Sequence, residues 1–163
     1  MDAGLLFYQA HRTAACQLIL SRASEEFGIP LHEVRVCIQA DYLNPSIAGI
    51  LKARNAVFLV ASAPEKRPTC SEAIFYTLHV PLRPDGEPEG ILRLTGCQKT
   101  GYLIESIDQA IVLLPDEPSS ILKMAPAVFG RLKSKFDLPG EFPKKCHLDY
   151  EKLVETCMGI PPD

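Results

Sequence analysis

The sequence predicts an α/β protein of three layers, helices on both faces of a mixed, mostly parallel sheet. Three observations lead there. Apolar runs at Val34–Ile38, Ala56–Val60 and Gln109–Leu114 alternate with segments of helical period, the pattern of a layered α/β domain. The run Ala56–Val60 is apolar at every position, which demands cover on both faces, as in a parallel sheet. Gly101–Glu105 and Gln109–Leu114 are joined by the tight turn Ser106–Asp108, which makes that pair antiparallel and the sheet mixed.

Each element has its own justification. From Tyr8 to Phe27, one helical face collects Ala14, Ala15, Leu18, Ile19, Ala23 and Phe27. Gly28 and Pro30 stop that helix. Val34–Ile38 is a strand closed by Asp41. Asn44 and Pro45 then cap and open a short helix lined by Ile47, Ile50 and Leu51. The strand Ala56–Val60 runs into a loop, Ala61–Pro68. Thr69-Cys-Ser-Glu72 matches a capping box and predicts a helix carrying Ala73, Ile74, Thr77 and Leu78. Pro81, Pro84, Gly86, Pro88 and Gly90 predict an exposed turn before a short strand, Ile91–Leu94. The strongest helix spans Ser119–Phe136, with Ile121, Leu122, Ala125, Val128, Phe129, Leu132 and Phe136 on its apolar face and Ser119 and Ser120 at its cap. Pro126 lacks an N–H and should kink or divide it. Tyr150–Met158 has the spacing of one more amphipathic helix through Leu153, Val154 and Cys157.

At 163 residues the chain is read as one domain over 1–163, with a core at about 8–136 and a C-terminal extension over 137–163. The net charge of −3 argues against a nucleic-acid surface. No run of apolar residues is long enough to span a bilayer. Asp2 stands where a signal peptide would be basic, so a cytoplasmic protein is expected, with no nucleic-acid or membrane partner. The six cysteines, at 16, 37, 70, 97, 146 and 157, show neither Cys-x-x-Cys nor zinc-like spacing and read as reduced thiols.

The parts follow a definite order over residues 10–136. A helix ends in Gly28-Ile29-Pro30, and a strand closes at Asp41. A short helix and an apolar strand at Val57–Val60 follow, then a helix opening at Thr69–Ala73. A strand, the turn Leu114–Pro118 and a long helix come last. This order resembles the molybdopterin-binding domain of molybdenum-cofactor biosynthesis, shared with gephyrin and with the N-terminal domain of the competence-damage-inducible proteins. The resemblance implies a pterin or nucleotide-type small-molecule ligand and a homo-oligomer. In its competence-damage branch it implies hydrolysis of a nucleotide diphosphate.

The chain departs from that pattern at the ligand loops. Where the family has Gly-Gly-Thr-Gly, this chain has Ser62-Ala-Pro-Glu-Lys66, whose side chains keep the backbone away from a phosphate. Pro68 replaces an aspartate. Asp116 replaces the glycine of Leu-Pro-Gly-x-Pro and, with Glu117, would repel a phosphate. The family's opening strand is absent or reduced to Gly4–Tyr8. The expectation is therefore a domain with eroded ligand loops that binds its ligand with little catalysis.

The candidate ligand-binding residues are Ser62, Lys66, Arg67, Thr69, Pro115 and Ser119. Asp41, Glu65, Asp116 and Glu117 all fall on loops after strands, which a parallel sheet gathers at one edge. They read either as solvated loop acids or as ligands of Mg2+. The second reading makes the chain a metal-assisted hydrolase or transferase on a nucleotide or pterin phosphate, with Asp41, Glu65 and Asp116 catalytic. Cys70, beside Lys66 and Arg67 at a helix start, reads as a capping-turn residue or as an activated thiol. Lys99-Thr100-Gly101 lacks the context of a phosphate loop. A non-enzymatic oligomeric interaction module is the third reading.

Overall fold

The computed structural model describes residues 1–140; the Tyr150–Met158 segment lies outside them. The strands are β1 (Ala3–Tyr8), β2 (Leu31–Cys37), β3 (Ala56–Ala61), β4 (Leu92–Thr95), β5 (Thr100–Glu105) and β6 (Ala110–Pro115). The helices are α1 (Thr13–Glu26), α2 (Leu43–Ala53), α3 (Ser71–Thr77) and α4 (Pro118–Phe136). The strands form one sheet in the order β2-β1-β3-β6-β5-β4. β2, β1, β3 and β6 run parallel, and β5 is antiparallel to both neighbours. This is the mixed, mostly parallel sheet that the alternation of elements predicts.

The opening strand corrects one expectation. β1 is neither absent nor marginal: all six of its residues are buried, between β2 and β3. The first helix starts at Thr13, so Tyr8 closes a strand instead of opening a helix. A short apolar run is ambiguous between strand and buried helix, and flanking strands settle it only in three dimensions. The core therefore reaches back to Ala3. β2 starts three residues before the predicted strand and forms the sheet edge.

Two apolar layers hold the sheet. Alternate residues of β1 point to opposite faces. Leu5 and Phe7 join the layer under α1 and α4, and Leu6 and Tyr8 join the layer under α2 and α3. In the first layer Phe129 stacks between Phe27 at 5.2 Å and Phe58 at 5.6 Å. In the second, Phe75 meets Tyr102 edge-on at 5.1 Å. Each such side chain, fully buried, stabilises the fold by about 1.5–3 kcal/mol. Gly101 of β5 has no room for a side chain between β6 and α4: a Cβ there would lie 2.5 Å from the Leu113 carbonyl oxygen and 3.2 Å from the Met124 sulfur.

Helix ends depart from the predicted caps. α1 does exit through Gly28, at φ +66°. The capping box at Thr69–Glu72 does not form. Cys70 occupies the N-cap with no side-chain cap bond, the Ser71 hydroxyl donates to the Pro68 carbonyl at 2.7 Å, and Glu72 accepts from Arg67 instead. Glu117, not Ser119, is the N-cap of α4, and Pro118 takes the first turn, where its missing N–H is not needed. Pro126 does not divide α4, which is continuous past it; the ring sits on the exposed side.

Candidate functional site

The carboxyl ends of β1, β2, β3 and β6 lie along one edge. From β1 the chain turns outward to β2. From β3 it heads toward the other side of the sheet, so the direction of winding reverses between β1 and β3. In open α/β sheets this is where ligands sit. The edge is tied by backbone bonds that continue the ladders. Gln9 N–H donates to the Cys37 carbonyl at 3.2 Å, Ser62 N–H to Tyr8 at 3.2 Å, and Asp116 N–H to Ala61 at 2.9 Å.

Asp116 fills part of this crevice itself. Its carboxylate accepts the backbone N–H of His11 at 2.6 Å and of Arg12 at 3.2 Å, and the Cys16 thiol at 3.7 Å. These donors stand at the amino end of α1, which attracts an anion by its exposed N–H groups and its dipole. The chain supplies that anion from its own β6–α4 turn. Asp116 is thus occupied in holding α1 to the end of β6.

The acidic rim exists, but its carboxylates do not converge. Asp41 is exposed in a 3-10 turn, Ala40–Tyr42, beyond the edge strand. It follows β2, three strand spacings or about 14 Å from β6 and its Asp116. Glu65 is exposed in the β3–α3 loop. The Glu117 carboxylate accepts from the Ser120 hydroxyl. Among the described residues no group of three His, Cys, Asp or Glu could hold a metal ion. Of the two readings of Asp41, Glu65, Asp116 and Glu117, the Mg2+ one therefore finds no assembled cluster among the described residues.

The loop from Ser62 to Pro68 is built around a cation. The Lys99 ammonium donates to the carbonyls of Ala63 at 2.5 Å and Glu65 at 2.6 Å. Thr100 N–H donates to the Lys66 carbonyl at 2.7 Å, and Thr69 N–H to that of Ser62 at 2.9 Å. A phosphate cradle needs N–H groups that converge. Here the converging groups are carbonyls. The role of Lys99 has no local sequence signal, because it arises only when β5 lies beside this loop.

Against the outer side of that loop lies a cleft of about 390 Å3, lined by Glu65, Lys66, Arg67, Thr69, Glu72 and Thr100 among others. Lys66 and Thr69 are exposed on its rim. Arg67 is half-buried and donates to Glu72 at 2.7 Å and to the Gly86 carbonyl at 3.2 Å. Burial pulls the Arg67 guanidinium down, but hydrogen bonds with Tyr102 and Glu72 outweigh it and keep the group charged. Burial pushes the Tyr102 phenol up, and Glu87, which accepts its O–H at 2.9 Å, adds to the rise. Of the predicted ligand residues, Lys66, Arg67 and Thr69 share this cleft. Ser62 and Pro115 stay with the strand ends, and Ser119 is exposed on the first turn of α4.

Cys70 is buried, and burial pushes its thiol up to about 12, so it is not an activated nucleophile. Helix α3 gives little help: it is seven residues long, and Cys70, its N-cap residue, is buried. Cys16 is raised too, by burial and by Asp116.

No family model matches the chain, and no curated protein matches it. Among solved structures the chain is similar to the crystal structure of the protein CinA, of unknown function, from Thermoplasma acidophilum. The two are 11% identical with a TM-score of 0.60, over 82% of this chain and 96% of that one. The likeness is one of fold: three layers, α/β/α, of the CinA type. The competence-damage-inducible proteins named in the sequence resemblance are thus matched at the level of architecture. No helix among the described residues is long and apolar enough to cross a membrane.

Proposed function

We propose that the chain binds a small anionic heterocycle, of pterin or nucleotide type, in the cleft beside the Glu65–Thr69 loop and does little chemistry on it. One observation carries this reading. A cleft of about 390 Å3 holds an exposed lysine, an exposed threonine and a half-buried, permanently charged arginine within one loop. Its size falls in the range of small-molecule sites. Lys66 and Thr69 suit a phosphate at the rim. The carboxylates of Glu72 and Glu87 also line the cleft; each has one oxygen engaged, by Arg67 and by Tyr102, and the other oxygen of each suits the N–H edge of an amino-oxo heterocycle. With acids and bases lining the same cleft, affinity for a bare phosphate is weak, and the heterocycle supplies selectivity. Low catalytic power is supported by the protonated Cys70 thiol, the engagement of Asp116 and the scattered acids.

Calorimetric titration with a nucleoside monophosphate, its nucleoside and a phosphorylated pterin tests the proposal. Binding is expected for the phosphorylated ligands, with stabilisation of about 2.7 kcal/mol at 100 times the dissociation constant. Lys66→Ala should weaken the phosphorylated ligands about tenfold and leave the nucleoside unaffected. Binding that is indifferent to Lys66→Ala, or absent for every ligand, would overturn it.

A further inference from the structure

We infer that a cavity at the amino ends of β3 and β6 takes a small molecule with an apolar body and a protonated amine. The cavity measures about 520 Å3, within the range of small-molecule sites. It lies at the opposite end of the strands from the Glu65–Thr69 cleft and does not rest on the reading of that cleft. Its origin is a gap in the second apolar layer. Helix α2 packs over β1 and β3, and α3 ends at Thr77. The far ends of β5 and β6 are left to the segment that follows α3. Ile104 and Ile111, register partners in these strands, line the cavity from the sheet. Leu51, Val80, Ile91 and Ile104 are the half-buried apolar residues packed against that layer, and all four line the cavity. Leu78, 44% exposed, lines it too.

The polar groups choose the charge of the ligand. No lysine or arginine is among the described residues that line the cavity. Gln109 donates its amide N–H groups to the Leu51 carbonyl at 2.5 Å and to the Arg54 carbonyl at 3.4 Å, which fixes the amide and leaves its oxygen as an acceptor. Glu105 is held by Arg131 at 3.0 Å. Glu89, the other lining carboxylate, is exposed and has no side-chain partner among the described residues, so it carries the open negative charge. His79 closes α3 in the left-handed region at φ +55°, with its N–H on the Tyr76 carbonyl and the Val80 N–H on the Phe75 carbonyl. Its imidazole is an acceptor when neutral. The carboxyl end of α2, at Leu51, brings the negative end of that helix's dipole to the cavity. An ammonium answers these groups, and an apolar ring covers Ile104 and Ile111. A carboxylate on the same ring would be repelled by Glu89.

Amide NMR shifts of the full chain, titrated separately with tryptamine and with indole-3-propionate, test this. Tryptamine is expected to give saturable shifts at residues 78–80, 89–92 and 104–111. The acid should bind at least about tenfold more weakly. Glu89→Gln should weaken tryptamine about threefold. Leu78→Arg, at an exposed position, should weaken it about tenfold and erase the preference for amine over acid. Ile104→Trp fills the cavity and should abolish binding of both; if that variant fails to fold, Leu78→Arg decides. The inference is overturned by the absence of a saturable shift with tryptamine, or by an acid that binds as tightly as the amine. Shifts confined to the Glu65–Thr69 cleft would overturn it too, as would tryptamine binding indifferent to Glu89→Gln and Leu78→Arg.

Discussion

At the scale of single residues, Asp116 and Cys70 exchange the roles that their local sequence suggests. Asp116 stands beside Glu117 in the turn between β6 and α4, where it reads as a solvated or metal-binding acid, yet its carboxylate serves the amino end of α1 and the Cys16 thiol. Asp116→Ala leaves two backbone N–H groups without their acceptor and should lower unfolding free energy by about 1–2 kcal/mol. Asp116→Asn keeps an acceptor oxygen and should cost less; urea denaturation measures both. For Cys70, burial raises the folded thiol from 9.0 to about 12. A group so raised favours the protonated form in the fold, so its contribution to stability is intact below pH 9 and is lost as pH rises toward 12. Native chain should accordingly resist alkylation at Cys70 at pH 8 while the exposed Cys97 reacts, as peptide mapping after iodoacetamide will show.

At the scale of elements, the long apolar stretches kept the character that their period implies, and their ends did not. α4 follows its predicted stripe from Ile121 to Leu132 and begins one residue before the predicted start. Pro126, expected to kink or divide it, lies within a single continuous helix. Burial of the stripe against β4, β5 and β6 outweighs one lost hydrogen bond. Pro126→Ala restores the missing N–H on an exposed position and should raise unfolding free energy by about 1–3 kcal/mol, read from the melting midpoint. The capping box at Thr69–Glu72 failed for a different reason. Glu72 had a stronger partner in Arg67, a charge-assisted bond at 2.7 Å that no local motif encodes.

At the scale of the whole molecule, the sheet collects every strand-end loop that carries candidate chemistry and then uses much of that chemistry for its own cohesion. Lys99 holds two loop carbonyls, Asp116 holds α1, and Arg67 bridges Glu72 and Gly86. Among the described residues at that carboxyl edge, what stays open is the Lys66–Thr69 rim.

The chain alone determined the layers, the strand positions at Ala56–Val60 and Ile111–Leu114 and the apolar face of α4, because these rest on periodicity, which is local. Tertiary structure decided the rest. β1 became a central strand because β2 and β3 flank it, and the acids of the rim were kept apart by the strand order. Lys99 and Asp116 found partners 34 to 105 residues away. Hydrogen bonds and ion pairs over such separations depend on the path the chain takes back to the sheet, and no short window of sequence records that path.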